Sequence, residues 1–128
     1  MSFISSVALI VPDYDQAIDF YVNRLGFELL EDVTLAPGKR WVRVCPRGEA
    51  GTALLLAEAS TEEQKAAIGN QTGGRVFLFL STDDFERDHT LYLENGVCFL
   101  EEPRFEPYGT VAVFKDPFGN QWDLIEHK

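Results

Sequence analysis

In the run Gln121-Trp122-Asp123-Leu124-Ile125-Glu126 a carboxylate stands among apolar residues in a stretch that reads as a strand. Side chains alternate along a strand, so Trp122, Leu124 and Glu126 take one face and Gln121, Asp123 and Ile125 the other. With Trp122 and Leu124 claiming the packed face, Asp123 is sent toward whatever the opposite face encloses. A carboxylate there is costly unless something pairs with it. Three roles are open to it: general base, counter-charge for a cationic ligand, or partner of an internal arginine such as Arg43 or Arg75. Those arginines have uses of their own, either as forks gripping a substrate carboxylate or as plain surface charges. Trp41, Phe77, Phe79, Phe105 and Tyr108 supply the material of an aromatic cage for a planar or cationic ligand. The competing reading makes the phenylalanines ordinary core, and for Phe79 it is preferred.

Other reactive side chains offer less. His89, mid-helix beside Arg87 and Asp88, and His127, next to the terminus, read as solvated. Cys45 and Cys98 lie in apolar strand contexts without an adjacent base and read as buried, inert thiols. Neither a GxSxG elbow, a Gly-rich phosphate loop nor a Ser/His/Asp set is visible. Asp15, Asp19, Glu86, Asp88 and Glu94 read as the solvated face of two helices.

The elements that must position these groups follow from local pattern. Phe3 to Val11 reads as a strand closed by Pro12. Asp13 caps a helix from about Tyr14 to Leu25, with Gln16 reciprocating and Gly26 at its C-terminal stop. Strands are expected at Phe27 to Leu30, Lys39 to Cys45 and Gly51 to Glu58. Thr61 caps a short helix reaching Ile68, and Gly69 to Gly74 is a flexible connector. A strand at Arg75 to Leu80, a helix capped by Thr82 and Asp83 or Asp84 and ending at Asn95-Gly96, and strands at Val97 to Leu100, Gly109 to Phe114 and Gln121 to Glu126 complete the chain. The last two are joined by Asp116-Pro117-Phe118-Gly119-Asn120, where Gly119 and Asn120 both tolerate positive φ. Asp13 to Gly26 and Asp83 to Gly96 are offset by about seventy residues, so strand, helix and three strands occur twice. The expected fold is α+β, two βαβββ modules at about 1–59 and 75–128 joined by linker 60–74, forming a curved mixed sheet around a central cleft with the helices outside.

A chain of 128 residues with 45% apolar and 25% charged side chains suits one folded domain. Eleven basic against twenty-one acidic residues leave a net charge of −10, which repels nucleic acid and anionic membranes and favours neutral or cationic ligands. Two distant cysteines, no spanning apolar run and no basic leader point to the cytoplasm.

VALIVPDYDQAIDFYVNRLGFEL near the start, NGVCFLEEP after the second helix and VFKDPFGNQWDLIE at the end resemble the vicinal oxygen chelate superfamily, which includes glyoxalase I, extradiol dioxygenases and bleomycin resistance proteins. The resemblance covers nearly the whole chain and implies paired βαβββ modules, commonly in a homodimer. In its metal enzymes, His or Glu ligands occupy four inward positions, and these correspond here to Ser6, Leu56, Phe77 and Asp123. Of the four only Asp123 is a metal donor of useful strength, and neither a slip to Glu58 nor one to Ser81 brings a histidine. The implied function is metal-independent binding of a small molecule, with no cofactor and the ligand held by Ser6, Trp41, Arg43, Leu56, Arg75, Phe77, Phe79 and Tyr108 and oriented by Asp123. The alternative is a glyoxalase-like lyase or isomerase, or a dioxygenase, that uses Asp123 and Glu58 as acid and base or a divalent metal at non-standard positions.

Overall fold

The computed structural model describes residues 1–48 and 51–128. They form two units, Met1–Ile68 and Gly69–Lys128, and the division falls within the expected linker 60–74.

In the first unit, β1 (Ser6–Val11) leads to a helical segment and then to β2 (Glu28–Ala36), β3 (Lys39–Cys45) and β4 (Ala53–Glu58). The sheet order is β1-β4-β3-β2, with β1 parallel to β4 and the other pairs antiparallel. Helix α1 (Tyr14–Ile18) is capped by Asp13, whose carboxylate accepts from the Asp15 N–H. Glu58 Oε2 accepts from the Tyr14 N–H at 3.3 Å, so a side chain of β4 also holds the helix start. The expected helix to Leu25 continues, but Asp19–Arg24 winds as a π-helix, with Leu25 N–H donating to the Phe20 carbonyl. The wider turn places consecutive Phe20 and Tyr21 both in the core, with their rings 5.0 Å apart and edge to face. Gly26, at φ 76°, ends the segment in a conformation only glycine takes cheaply.

β2 runs nine residues, well past the Leu30 limit expected from composition, because it pairs with β3 from Glu28↔Cys45 to Ala36↔Lys39. Across the sheet Leu9, Leu56 and Val42 stand side by side, each at most 1% exposed. This is the face that α1 covers. Leu56 therefore belongs to the core face and not to the inward face shared with Ser6, a correction of one residue in register: Leu55 pairs with Ala8 and Arg43 and takes the open side. Glu58 goes with Leu56, which explains its use at the helix start. A short helix, α2 (Glu62–Ala67), closes the unit, with Thr61 accepting from the Gln64 N–H as its cap.

In the second unit, β5 (Leu78–Ser81), α3 (Phe85–Glu94), β6 (Cys98–Phe99), β7 (Arg104–Glu106), β8 (Gly109–Lys115) and β9 (Gln121–His127) form a five-stranded sheet of order β5-β9-β8-β6, with β7 also on β8. Asp84 caps α3, and Glu126 Oε1 accepts from the Phe85 N–H at 2.7 Å, repeating the role of Glu58 in the first unit. Trp122 stacks on Phe114 with centroids 5.9 Å apart, and Tyr92 of α3 packs on Phe114, so the Trp122 face is the helix-covered one, as its alternation predicts. The expected strand at 97–100 is only two residues long, and pairing with β8 resumes at Arg104 beyond Pro103.

The β8–β9 turn differs from expectation in its chemistry. Asn120 has no positive φ; its amide donates to Asp116 Oδ2 at 2.8 Å, while Asp116 Oδ1 accepts from the N–H groups of Phe118, Gly119 and Asn120. Both side chains are buried, at 1% and 3% exposure, and each satisfies the other. Among the described residues no helix is long and apolar enough to cross a membrane.

Candidate ligand-binding site

In the second unit Asp123 lies opposite Phe79 on β5 and Val113 on β8, on the face away from α3. Phe79 is 66% exposed, which overturns its assignment to the core: at an edge strand, on the side without a helix, nothing in its unit covers it. Asp123 is half-buried as a residue, yet its Oδ1 is shielded from solvent and has no hydrogen-bond partner among the described residues. Burial pushes its carboxyl above the usual range; Arg104 pulls it down and Glu101 pushes it up further.

The arginine whose field reaches Asp123 is thus Arg104, rather than Arg43 or Arg75. Arg104 is itself committed: Nε donates to Glu101 at 2.9 and 3.1 Å, and a terminal nitrogen donates to Glu106 at 3.1 Å. Glu101 above all, with Tyr108 and Glu106, holds the guanidinium above its ordinary range. Glu101 Oε2 also accepts from the Val113 N–H at 3.0 Å, tying the Leu100–Pro103 crossing to β8. Arg75 is exposed ahead of β5, its carbonyl accepting from the Thr72 hydroxyl. Phe77 also precedes β5, and its ring meets that of the core residue Trp122 edge-on at 6.2 Å.

In the first unit the open face brings together three of the expected ligand contacts. Arg43 Nε donates to Ser6 Oγ at 3.1 Å, and its terminal nitrogen donates to Glu31 at 2.5 Å. Arg43 chiefly holds the Glu31 carboxylate below its usual pKa range, and the nearby Trp41 side chain adds to that. Trp41 remains 38% exposed and forms one wall of a cavity of about 480 Å³. Ile10, Leu55 and Ala57 line it beside Trp41, together with Leu56 and the polar side chains of Tyr14, Lys39, Arg40 and Glu58. Such a concavity, mostly apolar with a few placed polar groups, is a form that binds small organic molecules.

The donors do not suit a metal. Ser6 already accepts from a cationic guanidinium, Leu56 lies in the core and Phe77 offers no donor, which leaves Asp123 as a single carboxylate. Among the described residues no group of three or more His, Cys, Asp or Glu side chains is placed to hold an ion. His89 is not simply solvated: it stacks on Phe85 at 5.2 Å and meets Phe99 edge-on at 4.5 Å. Cys98 is exposed and Cys45 buried.

Glu31, Glu101 and Arg104 escaped sequence reasoning. Glu31 gave one signal, an acid in an alternating run that lengthens into β2. Glu101 and Arg104 sit in an irregular crossing where periodicity carries no information.

Comparison with known proteins places this geometry in context. The model of the Glyoxalase/Bleomycin resistance protein/Dioxygenase superfamily matches residues 3–124. An uncharacterized protein of Shewanella frigidimarina is 57% identical over 121 residues, covering 94% of this chain and 90% of its own. The crystal structure of UcmS2 superposes with a TM-score of 0.86 at 29% identity, covering 98% of each chain. That of TnmS3, an antibiotic binding protein from Streptomyces sp. CB03234, gives a TM-score of 0.80 at 32% identity, covering 100% of this chain and 98% of its own.

Proposed function

Because the chain belongs to the Glyoxalase/Bleomycin resistance protein/Dioxygenase superfamily, we propose that it is a metal-independent small-molecule binding protein whose contacts are aromatic and whose orienting group is Asp123. The observation that carries this reading is the unpartnered, shielded Oδ1 of Asp123 on the face where Phe79 stands exposed. A buried acceptor without a donor costs free energy that a ligand N–H or O–H recovers. Within the first unit Trp41 and its cavity offer a stacking surface of their own, and within the second Tyr108 and Arg75 stand at exposed positions. The antibiotic-binding description of TnmS3 supports the same class. Assembly as a homodimer in the cytoplasm belongs to this proposal, and mass measurement in solution tests the dimer.

A second reading, acid-base catalysis by a lyase or isomerase, draws on the raised pKa of Asp123. Glu58 is a poor second group for it, since that carboxylate is engaged at the start of α1. A thermal-shift screen across cationic glycopeptides, aromatic diols and thiol adducts of 2-oxoaldehydes, run with metal analysis of protein purified without chelator, separates the readings. Saturable stabilisation that Asp123→Asn abolishes supports binding. Stoichiometric tightly held metal, or turnover of the thiol adducts, overturns it.

A further inference from the structure

The two units repeat one local arrangement and differ in its occupant. In the first, the Tyr14 N–H donates to Glu58, Asp13 caps the helix, and the Arg40 guanidinium lies 5.1 Å over the Tyr14 ring while donating to Asp15 and Asp32. In the second, the Phe85 N–H donates to Glu126 and Asp84 caps the helix, so Phe85 matches Tyr14 and Glu86 matches Asp15. Thr110 pairs with Glu126, and two residues beyond the Val42↔Leu56 pair Arg40 comes opposite Glu58. Thr110 therefore stands where the first unit has Arg40. The second unit keeps the ring and the acid but lacks the cation. A cavity of about 500 Å³ opens at this place, lined by Phe85, His89, Phe105 and Thr110 and by the carboxylates of Asp84, Glu86 and Glu126. None of the three acids is ion-paired among the described residues, while Arg87 of the same helix is taken by Asp83 and Asp88. Phe105, cross-strand from Thr110 and 83% exposed, supplies an open ring face. Carboxylates and a bare aromatic ring around one concavity attract an organic cation by the same forces that hold Arg40 on Tyr14.

We propose that this cavity is a further binding site, which takes a small organic cation: an aromatic guanidinium or ammonium whose head stands where Arg40 stands in the first unit and whose body lies on Phe105. Glu126 shares its face with Trp122, the face that α3 covers, and Asp123 takes the other. The site is thus separate from that of Asp123 and does not depend on the binding role proposed there.

The test titrates benzylguanidinium and its uncharged isostere N-benzylurea into the intact, nitrogen-15-labelled chain at low salt and follows the backbone amides by NMR. Saturable shifts at the amides of Phe85, Glu86 and Thr110 are expected for the guanidinium, with the urea bound at least about tenfold more weakly. Glu86→Gln is expected to weaken the guanidinium by about threefold and Phe105→Ala by about fivefold. Both positions are exposed, so these variants keep the fold. Thr110→Arg supplies the missing cation from the chain itself and is expected to abolish binding of the probe. Equal affinity for the urea, shifts confined to the face of Phe79 and Asp123, or no saturable shift up to about 10 mM probe overturns the proposal. So does a Thr110→Arg protein that shows a native amide spectrum and still binds. If that variant fails to fold, unchanged affinity in both Glu86→Gln and Phe105→Ala is the overturning result.

Discussion

Phe79 and Asp123 are cross-strand partners on the parallel pair β5 and β9, an exposed ring directly beside a carboxylate whose Oδ1 has no donor among the described residues. The pairing joins an apolar platform to an acceptor on one surface, and neither group is needed for the core of its unit. Phe79→Ala is accordingly expected to change stability by no more than about 0.5 kcal/mol. The same change weakens any ligand that stacks there, by roughly tenfold, as read by thermal shift or calorimetry on a hit from the screen.

The protonation of Asp123 gives a prediction about pH. Burial raises its folded pKa above the unfolded value, so the native state holds the proton more tightly. Stability therefore falls as pH climbs from the unfolded aspartate range through the folded pKa. Asp123→Asn removes that slope and is expected to melt about 1–2 °C higher at pH 7, a gain kept small by solvent screening at this half-buried group. The difference from the native protein closes below about pH 4. Melting curves at intervals across this range check the sign.

Asp116 is a centre of backbone order. Its carboxylate accepts three main-chain N–H groups and one amide while 1% exposed. Asp116→Ala leaves these donors unsatisfied in a buried turn and is expected to cost about 3 kcal/mol in denaturant unfolding. Asp116→Asn, which keeps an acceptor, costs roughly half as much.

Gly69 is irreplaceable for two reasons acting together. Its φ is +74°, and an added Cβ falls 1.9 Å from the Phe118 carbonyl oxygen in the β8–β9 turn. Gly38 has nearly the same φ, +77°, and open space around it. Gly38→Ala is expected to cost about 1 kcal/mol and Gly69→Ala at least about twice that, and the difference measures the close approach alone.

Zinc, nickel or manganese added at a small excess is expected to leave the melting temperature unchanged, and Asp123→Ala to behave identically. One carboxylate with its neighbours already paired does not displace water from a divalent ion.

Sequence patterning alone determined the two-module α+β plan, the caps at Asp13 and Thr61, a cap for the second helix at Asp83 or Asp84, and the faces taken by Asp123, Trp41 and Arg43. Each of these depends on local periodicity or on hydrogen bonds within a few residues. Tertiary structure decided what those periods leave open. Leu56 and Leu55 are equally apolar, and only pairing with Leu9 and Val42 shows which of them enters the core. Phe79 is as hydrophobic as any core residue, but its place on an edge strand leaves it bare. Arg43 finds its partner in Glu31 on a neighbouring strand, and the charges that act on Asp123 come from the Glu101–Arg104 crossing. A charge's partner is set by register and chain path across the sheet, and a single sequence encodes these only through the sum of all its contacts.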